Sequence, residues 1–202
     1  MILAIDAGNT RIKWGLHDGQ AWLFQGQYAH HEIDKFEQTL DKLATPQQIV
    51  LSNVAGAELQ GQLEHCLRHY AVVLQRVHAQ ASQCGVHNAY TTPGQLGADR
   101  WAALIGAHHL GVRTGLGVNA GTAITIDALH QGNFLGGVIL PGYHRMGSLL
   151  LQGTAGLTND AGKFSAWPGN TADALETGRT LAITGAVTLL REQLARHSGD
   201  MP

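Results

Sequence analysis

The chain has 202 residues and a formal net charge of −2, with 13 basic and 15 acidic side chains. This length suits one large domain or two small ones, and it is enough to bury a sizeable core. The chain has no net positive charge that would attract nucleic acid, so nucleic acid is not an expected partner. No apolar run approaches the roughly 18 residues of a membrane-spanning helix, so no membrane partner is expected either.

The first eighty residues predict a strand-rich unit in the order β-β-β-α-β-α-β. Strands are predicted over 2–7, 11–17, 21–28, 48–56 and 71–78, and helices over 32–44 and 57–70. Gly19 marks a hairpin turn after the second strand, because glycine tolerates a positive φ. Residues 80–95 are expected to form a loop.

The same order restarts after a helix predicted over 97–110. Strands follow over 114–120, 123–129 and 134–140; Pro141 begins a helical stretch to residue 157, and a last helix runs from Thr171 to about His197, where Gly178 could break it. Each half therefore has a strand, a small Gly/Thr turn, a strand, a hairpin, a strand and a helix. This repetition predicts an internal duplication, with domains over 1–95 and 96–202.

The cysteines and histidines indicate neither a disulfide nor a metal site. Cys66 and Cys84 stand outside any C-x-x-C motif, and the N-terminal sequence MILAID lacks the basic region of a secretory signal. We therefore expect reduced thiols in a cytoplasmic protein. The 12 histidines are scattered without the spacing of metal ligands, so no histidine metal site is predicted.

The two small turns carry the candidate chemistry. The first lies in DAGNT at residues 6–10, and the second lies in NAGT at residues 119–122. Such turns can cradle a phosphate with backbone N–H groups, a strand-end carboxylate such as Asp6 suits hydrated Mg²⁺, and Lys13 can neutralise phosphate charge. Two such turns facing each other would clamp a polyphosphate, whereas the plainer interpretation is two hairpin turns with no ligand. No G-x-x-x-x-G-K-[ST] motif is present, so the chain is not a P-loop protein.

Five segments resemble the type III pantothenate kinases, a family of the actin-like ATPase superfamily. They are DAGNTRIKW at 6–14, GADRWAALIGA at 97–107, NAGTAITID at 119–127, FLGGVILPG at 134–142 and NTADALETG at 170–178. The resemblance covers nearly the whole chain, and the G-x-D-R helix start between the two turns is its most specific part. It implies an α/β fold of two tandem actin-like (ribonuclease H-like) halves. Each half would be a mixed sheet with helices, and the second would be shortened at its C-terminus.

By that resemblance the chain phosphorylates pantothenate with ATP and Mg²⁺, the first step of coenzyme A biosynthesis, and forms a homodimer. The implied ATP-binding residues are Asp6, Ala7, Gly8, Asn9, Thr10, Arg11, Ile12, Lys13 and Thr122. The implied pantothenate-binding residues are Tyr90, Gly97, Ala98, Asp99, Arg100 and Thr171. Asp99 is the implied catalytic base, and Asp6 is the implied carboxylate beside Mg²⁺.

Each role has a structural alternative. Asp99 suits the proton acceptor that an attacking alcohol needs, and the helix dipole favours its charged form, but acids are common at helix starts. Arg100 could bind a carboxylate as a fork or form an ordinary surface ion pair. Tyr90 could be loop packing, and Thr171 could simply cap its helix. Asp127, on the strand after the second turn, could face either the metal or solvent.

The chain departs from the family pattern at two places. Asn119 stands where the family usually has an Asp that binds K⁺ or NH₄⁺; an amide keeps an oxygen ligand but loses the charge, so we expect weak or absent K⁺ dependence. Family members also continue past the last helix through a strand and a T-G-G turn that complete the second sheet. An open strand edge and poor adenine contacts are therefore expected here.

Two alternatives to a pantothenate kinase stay open. One is a non-catalytic regulatory or accessory relative that keeps the fold. The other is a kinase of the same superfamily for another small acceptor.

Overall fold

The computed structural model describes residues 1–153 and 160–199, which form a mixed α/β fold. Strands β1–β10 span Ile2–Ala7, Arg11–His17, Trp22–Ala29, Gln48–Asn53, Leu74–Arg76, Ser82–Gln83, Val86–Asn88, Thr114–Ala120, Ala123–His130 and Asn133–Pro141. Helices α1–α5 span Ile33–Leu40, Ala57–Leu67, Ala98–His109, Tyr143–Gly153 and Thr171–Ser198. Short 3₁₀ helices occupy His30–Glu32 and Pro93–Gln95.

The first sheet has the order β3-β2-β1-β4-β5. Neighbours β1, β2 and β3 are antiparallel, whereas β4 runs parallel to both β1 and β5. Alternation along β1 buries Leu3 and Ile5 in a core with Phe36 of α1 and Leu63 of α2. Burying each such side chain contributes about 1.5–3 kcal/mol. The same alternation turns Asp6 to the opposite face of the sheet, near the carboxyl end of the strand.

The second sheet has the order β6-β7-β10-β9-β8. Strands β8, β9 and β10 are antiparallel neighbours, so they repeat the β1-β2-β3 arrangement, and the predicted repeat of three strands is confirmed. Ile124 and Ile126 of β9 are buried, and α5 packs against β8 and β9. The register of β10 against β9 shifts between Phe134 and Gly136, and the φ of Gly136 is +137°.

The structure differs from several element predictions. Residues 80–95 are not a plain loop, because β6 and β7 form a small hairpin through Cys84 and Gly85, both at positive φ. These strands are too short for the alternation that identifies a strand in sequence. Pro141 ends β10 instead of beginning α4, and α5 continues unbroken through Gly178. The predicted helical residues 154–157 lie outside the described residues.

Other elements are shorter than predicted. Helix α1 ends at Leu40, α2 ends at Leu67, and β5 covers only Leu74–Arg76 of the predicted 71–78. Helix ends and strand ends depend on local hydrogen bonds, such as the one from the Asp41 N–H to the Glu37 carbonyl, that an apolar pattern does not encode.

The contacts divide the chain into two compact units. The first contains Met1–Gln80 and Thr92–Ala102, and the second contains Ala81–Thr91 and Ala103–Pro202. A domain boundary after residue 95 stays a prediction. Within the described residues, no helix combines the length and the apolar character that crossing a bilayer requires.

Candidate active site

The first turn (residues 8–10) joins β1 to β2 in the first unit. It is closed by a hydrogen bond of 3.1 Å from the Gly8 N–H to the Arg11 carbonyl. Asp6 lies opposite Lys13 of β2 and opposite Ser52 of β4 in the strand register. Residues at paired register positions share a face of the sheet, so a carboxylate, an ammonium group and a hydroxyl point to the same side.

Two buried oxygens on that face lack partners. Asp6 Oδ1 and Ser52 Oγ are both buried and accept or donate no hydrogen bond among the described residues. Buried polar atoms are nearly always satisfied, so an unsatisfied pair commonly marks a site for an ion or ordered water. Ser52 directly follows the apolar run Ile49–Leu51 in the strand QIVLSN. The change from apolar to polar residues before the end of the strand is the signal that sequence reasoning missed.

The electrostatics of Asp6 fit a cation site. Burial raises the pKa of the Asp6 carboxyl, the charge of Lys13 lowers it, and the charge of Asp99 raises it again. Asp6, Lys13 and Asp99 all belong to the first unit. A cation bound at Asp6 would offset the repulsion between the two carboxylates.

The segment GADR, residues 97–100, spans the start of α3 at Ala98 and places Asp99 in the first turn of the helix. The Arg100 N–H donates to Asp99 Oδ1 at 2.8 Å. A Cβ atom at Gly97 would lie only 2.6 Å from the same oxygen, so the carboxylate rests against the bare Cα of the glycine. Arg100 is 5% exposed, and the predicted alternative of a surface ion pair is therefore wrong.

The second turn (residues 121–122) joins β8 to β9 in the second unit. The Gly121 N–H donates to the Ala123 carbonyl at 3.0 Å, and the Gly142 N–H donates to the Thr122 carbonyl at 3.0 Å. A Cβ atom at Gly142 would lie 2.2 Å from the Gly121 carbonyl oxygen. The second turn therefore closes on itself as the first does. Asn119 is exposed at the end of β8.

Tyr90, Thr171 and Asp127 lie in the second unit. The Tyr90 ring packs on Phe134 with centroids 5.3 Å apart. Asn170, not Thr171, caps α5, because its side chain accepts a hydrogen bond from the Asp173 N–H at 2.9 Å. The capping alternative for Thr171 is therefore wrong. Asp127 is 4% exposed, which contradicts the solvent-facing alternative. The binding roles of these residues stay predictions.

Sequence reasoning also missed His30. Its Nε2 donates a hydrogen bond of 2.8 Å to the Gly8 carbonyl of the first turn. His30 and Gly8 are 22 positions apart, so no local sequence motif predicts the contact. In the described part of the chain no three His, Cys, Asp or Glu side chains cluster as metal ligands, and Mg²⁺ needs only one or two carboxylates besides phosphate and water.

Comparison with known proteins identifies relatives of this chain. The family profile described as Type III pantothenate kinase matches residues 2–193. A type III pantothenate kinase of Nitrosospira multiformis is 44% identical over 203 residues, covering 100% of this chain and 78% of that protein. Another from Aromatoleum aromaticum is 44% identical over 200 residues, covering 98% of this chain and 83% of that protein.

Two solved structures resemble the fold. A conserved Baf family transcriptional activator from Campylobacter jejuni has a TM-score of 0.60 at 25% identity, covering 96% of this chain and 79% of that chain. MreB5 of Spiroplasma citri, bound to ADP, has a TM-score of 0.50 at 7% identity, covering 95% of this chain and 78% of that chain. The second likeness concerns the fold alone. It confirms the actin-like α/β fold predicted from the sequence.

Proposed function

Because this chain belongs to the type III pantothenate kinase family, we propose that it transfers the γ-phosphate of ATP to pantothenate. The products are 4′-phosphopantothenate and ADP, and the reaction is the first step of coenzyme A biosynthesis. The observation that carries the proposal is that Asp6 and Lys13 lie opposite each other in the strand register, in the unit that also contains Asp99. These are the residues to which the family resemblance assigns the reaction.

Asp99 acts as the general base in this proposal. The primary alcohol of pantothenate attacks the γ-phosphorus in line, its proton passes to the Asp99 carboxylate, and the bond from phosphorus to the ADP oxygen breaks. Asp99 suits this role because it lies in the first turn of α3, next to the buried Arg100. Its orientation is fixed by the hydrogen bond from the Arg100 N–H and by the bare Cα of Gly97. No covalent enzyme intermediate is needed.

The first turn binds the phosphates of ATP in this proposal. Its backbone N–H groups are donors for phosphate oxygens, and the ammonium group of Lys13 lies opposite Asp6 in the strand register and adds positive charge. Thr122 of the second turn contacts ATP by the same family pattern. The guanidinium of Arg100 is the proposed partner of the pantothenate carboxylate, since it offers two parallel donors to a planar acceptor. Tyr90, Gly97, Ala98 and Thr171 complete the proposed pantothenate site.

The residues beside the first turn are suited to binding Mg²⁺. Asp6 Oδ1 is a buried carboxylate oxygen with no hydrogen-bond donor among the described residues, and carboxylate and phosphate oxygens are the ligands that Mg²⁺ prefers. The ion would neutralise charge on the phosphates. Asn119 offers a monovalent cation only a neutral oxygen, so we propose at most weak K⁺ or NH₄⁺ binding. A homodimer and a cytoplasmic location follow from the family resemblance and belong to the proposal.

The proposal is tested by following ADP release from Mg-ATP with the purified chain and a panel of small alcohols that includes pantothenate. We expect turnover with pantothenate and a loss of about 10²–10⁴-fold in kcat for Asp99→Asn. Asp34→Asn, the same change at an exposed acid of α1, is the matched control and should retain activity. Turnover with another acceptor alone supports the other superfamily kinase, and calorimetric binding of pantothenate without turnover supports a non-catalytic relative.

A further inference from the structure

The two units hold their turns in the same way. In the first unit, His30 directly follows β3, and its Nε2 donates to the Gly8 carbonyl at 2.8 Å. In the second unit, Gly142 directly follows β10, and its N–H donates to the Thr122 carbonyl at 3.0 Å. Because β3 and β10 are the third strands of the repeated three-strand arrangement, the donors occupy equivalent places. In each unit, therefore, the residue that follows the third strand donates a hydrogen bond to one carbonyl of the turn.

Fixing a turn carbonyl also fixes a turn N–H. The peptide unit is planar and trans, so its C=O and N–H groups point in opposite directions. When the Gly8 carbonyl points at His30, the Asn9 N–H of the same peptide unit points away from His30. Glycine leaves this peptide unusually free to rotate, since φ and ψ of Gly8 are restricted by no Cβ. The hydrogen bond from His30 supplies the restriction that the glycine lacks.

The second unit also has a turn carbonyl held from the residue after its third strand, but it belongs to Thr122, the last residue of its turn, whereas Gly8 is the first residue of the first turn. There the donor is a backbone N–H, and the Cα of Gly142 is so close to the turn that a Cβ would lie 2.2 Å from the Gly121 carbonyl oxygen. The donor is thus a different chemical group at the equivalent place, and the peptide unit that it holds is the one between Thr122 and Ala123. The two units therefore share the place from which a turn is held, whereas the orientation of the Asn9 N–H depends on His30 alone.

We propose that His30 is a positioning residue for the phosphates of ATP: it holds the peptide between Gly8 and Asn9 so that the Asn9 N–H is directed to a phosphate oxygen. This inference rests on the proposed function in one respect, that the first turn binds phosphate. His30 makes no contact with pantothenate in the proposal. Its loss should therefore weaken nucleotide binding and leave the KM for pantothenate unchanged.

The test compares three variants of the full chain. His30→Phe keeps an aromatic ring but removes the donor, whereas His30→Gln carries an amide nitrogen the same number of bonds from Cβ as Nε2. His31→Phe is the matched control, because His31 is the exposed neighbour in the same AHH segment. Calorimetric titration with the Mg²⁺ complex of adenylyl imidodiphosphate, which transfers no phosphate, measures binding without catalysis. The midpoint of thermal unfolding reports any general damage.

The Kd of this analogue should rise about fivefold in His30→Phe, the usual effect of losing one hydrogen bond. It should stay near the wild-type value in His30→Gln and in His31→Phe. An unchanged Kd in His30→Phe overturns the proposal, and so does an equal rise in His30→Gln, because the ring shape and not the donor would then matter. His30→Ala replaces His30→Phe in the comparison if the latter does not fold.

The titration separates the failure of this inference from the failure of the proposed function. A wild-type chain that binds the analogue but phosphorylates no pantothenate refutes the proposed function, and the comparison of His30 variants still decides the positioning role. A wild-type chain that does not bind the analogue overturns the positioning role itself.

Discussion

Replacing Gly97 by alanine tests whether Asp99 must be held where the structure has it. The added Cβ would lie 2.6 Å from Asp99 Oδ1, whereas ordinary contacts begin at 3.4 Å, so the two atoms must separate by about 0.8 Å. The carboxylate cannot move without stretching its 2.8 Å hydrogen bond from the Arg100 N–H. The substitution therefore displaces the proposed base and leaves its chemical identity unchanged.

A misplacement of about 1 Å can cost about 10²-fold in rate. We therefore expect kcat of Gly97→Ala to fall about 100-fold, which corresponds to about 2.7 kcal/mol of lost transition-state stabilisation. The φ of Gly97 lies outside the positive range, so the backbone of alanine is not strained at this position. The unfolded chain loses entropy with alanine, which favours the folded state by about 0.4–1 kcal/mol, whereas the close contact between Cβ and Asp99 Oδ1 disfavours it. The two effects oppose each other, so the free energy of unfolding should change little compared with the loss of activity.

The assay is steady-state ADP release with saturating Mg-ATP and pantothenate, together with urea unfolding of the same samples. Gly94→Ala is the matched control, because a Cβ at Gly94 meets no heavy atom within 4 Å. That variant should keep the wild-type kcat. A folded Gly97→Ala with unchanged kcat would refute the reasoning, since the position of the Asp99 carboxylate would then be irrelevant to the rate.

Three further predictions concern charge and exposure. Burial raises the pKa of Asp6, so its ionised form destabilises the fold once the pH exceeds the ordinary pKa of 3.8. At pH 7 without Mg-ATP, Asp6→Asn should therefore unfold at a higher urea concentration than wild type, and the difference should shrink towards pH 4. A variant that is less stable than wild type at pH 7 would contradict this prediction. Burial raises the pKa of the Cys66 thiol to about 11, whereas Cys84 is exposed. A chromogenic disulfide reagent at pH 8 should therefore modify only Cys84 in the native chain and both thiols in denaturant. Rapid modification of Cys66 in the native chain would contradict its burial in the core. Activity in Tris buffer should depend weakly or not at all on K⁺, and Asn119→Asp should introduce activation by K⁺. Steep activation of the wild-type chain by K⁺ would contradict this prediction.

The strands near the two turns could be predicted because their hydrophobic pattern has a period of two. In β1 the buried residues alternate with less buried ones, and the first four residues of β2 alternate in the same way. The hairpin glycines Gly19 and Gly132 have the positive φ that such turns demand. Asp6, Asp99 and the second turn were identifiable for the same reason: each sits at the end of a well-marked element. The family resemblance, and not the periodicity, supplied the substrate.

The parts that sequence could not supply depend on contacts between distant residues. Ser52 becomes a site candidate only because β4 pairs parallel with β1 and brings it beside Asp6. His30 matters only through a hydrogen bond to Gly8 across 22 positions. Pro141 signals the start of a helix in sequence, yet it is the last residue of β10, where its missing N–H is tolerated at the end of the strand.

Detection of 4′-phosphopantothenate by mass spectrometry tests the central claim most directly. The purified chain is incubated with Mg-ATP and pantothenate, and ADP and phosphopantothenate are quantified in the same sample for wild type and Asp99→Asn. We predict equal amounts of the two products for wild type and almost none for the variant. ADP without phosphopantothenate, or equal phosphopantothenate from both proteins, would contradict the assignment of this site to pantothenate phosphorylation with Asp99 as base.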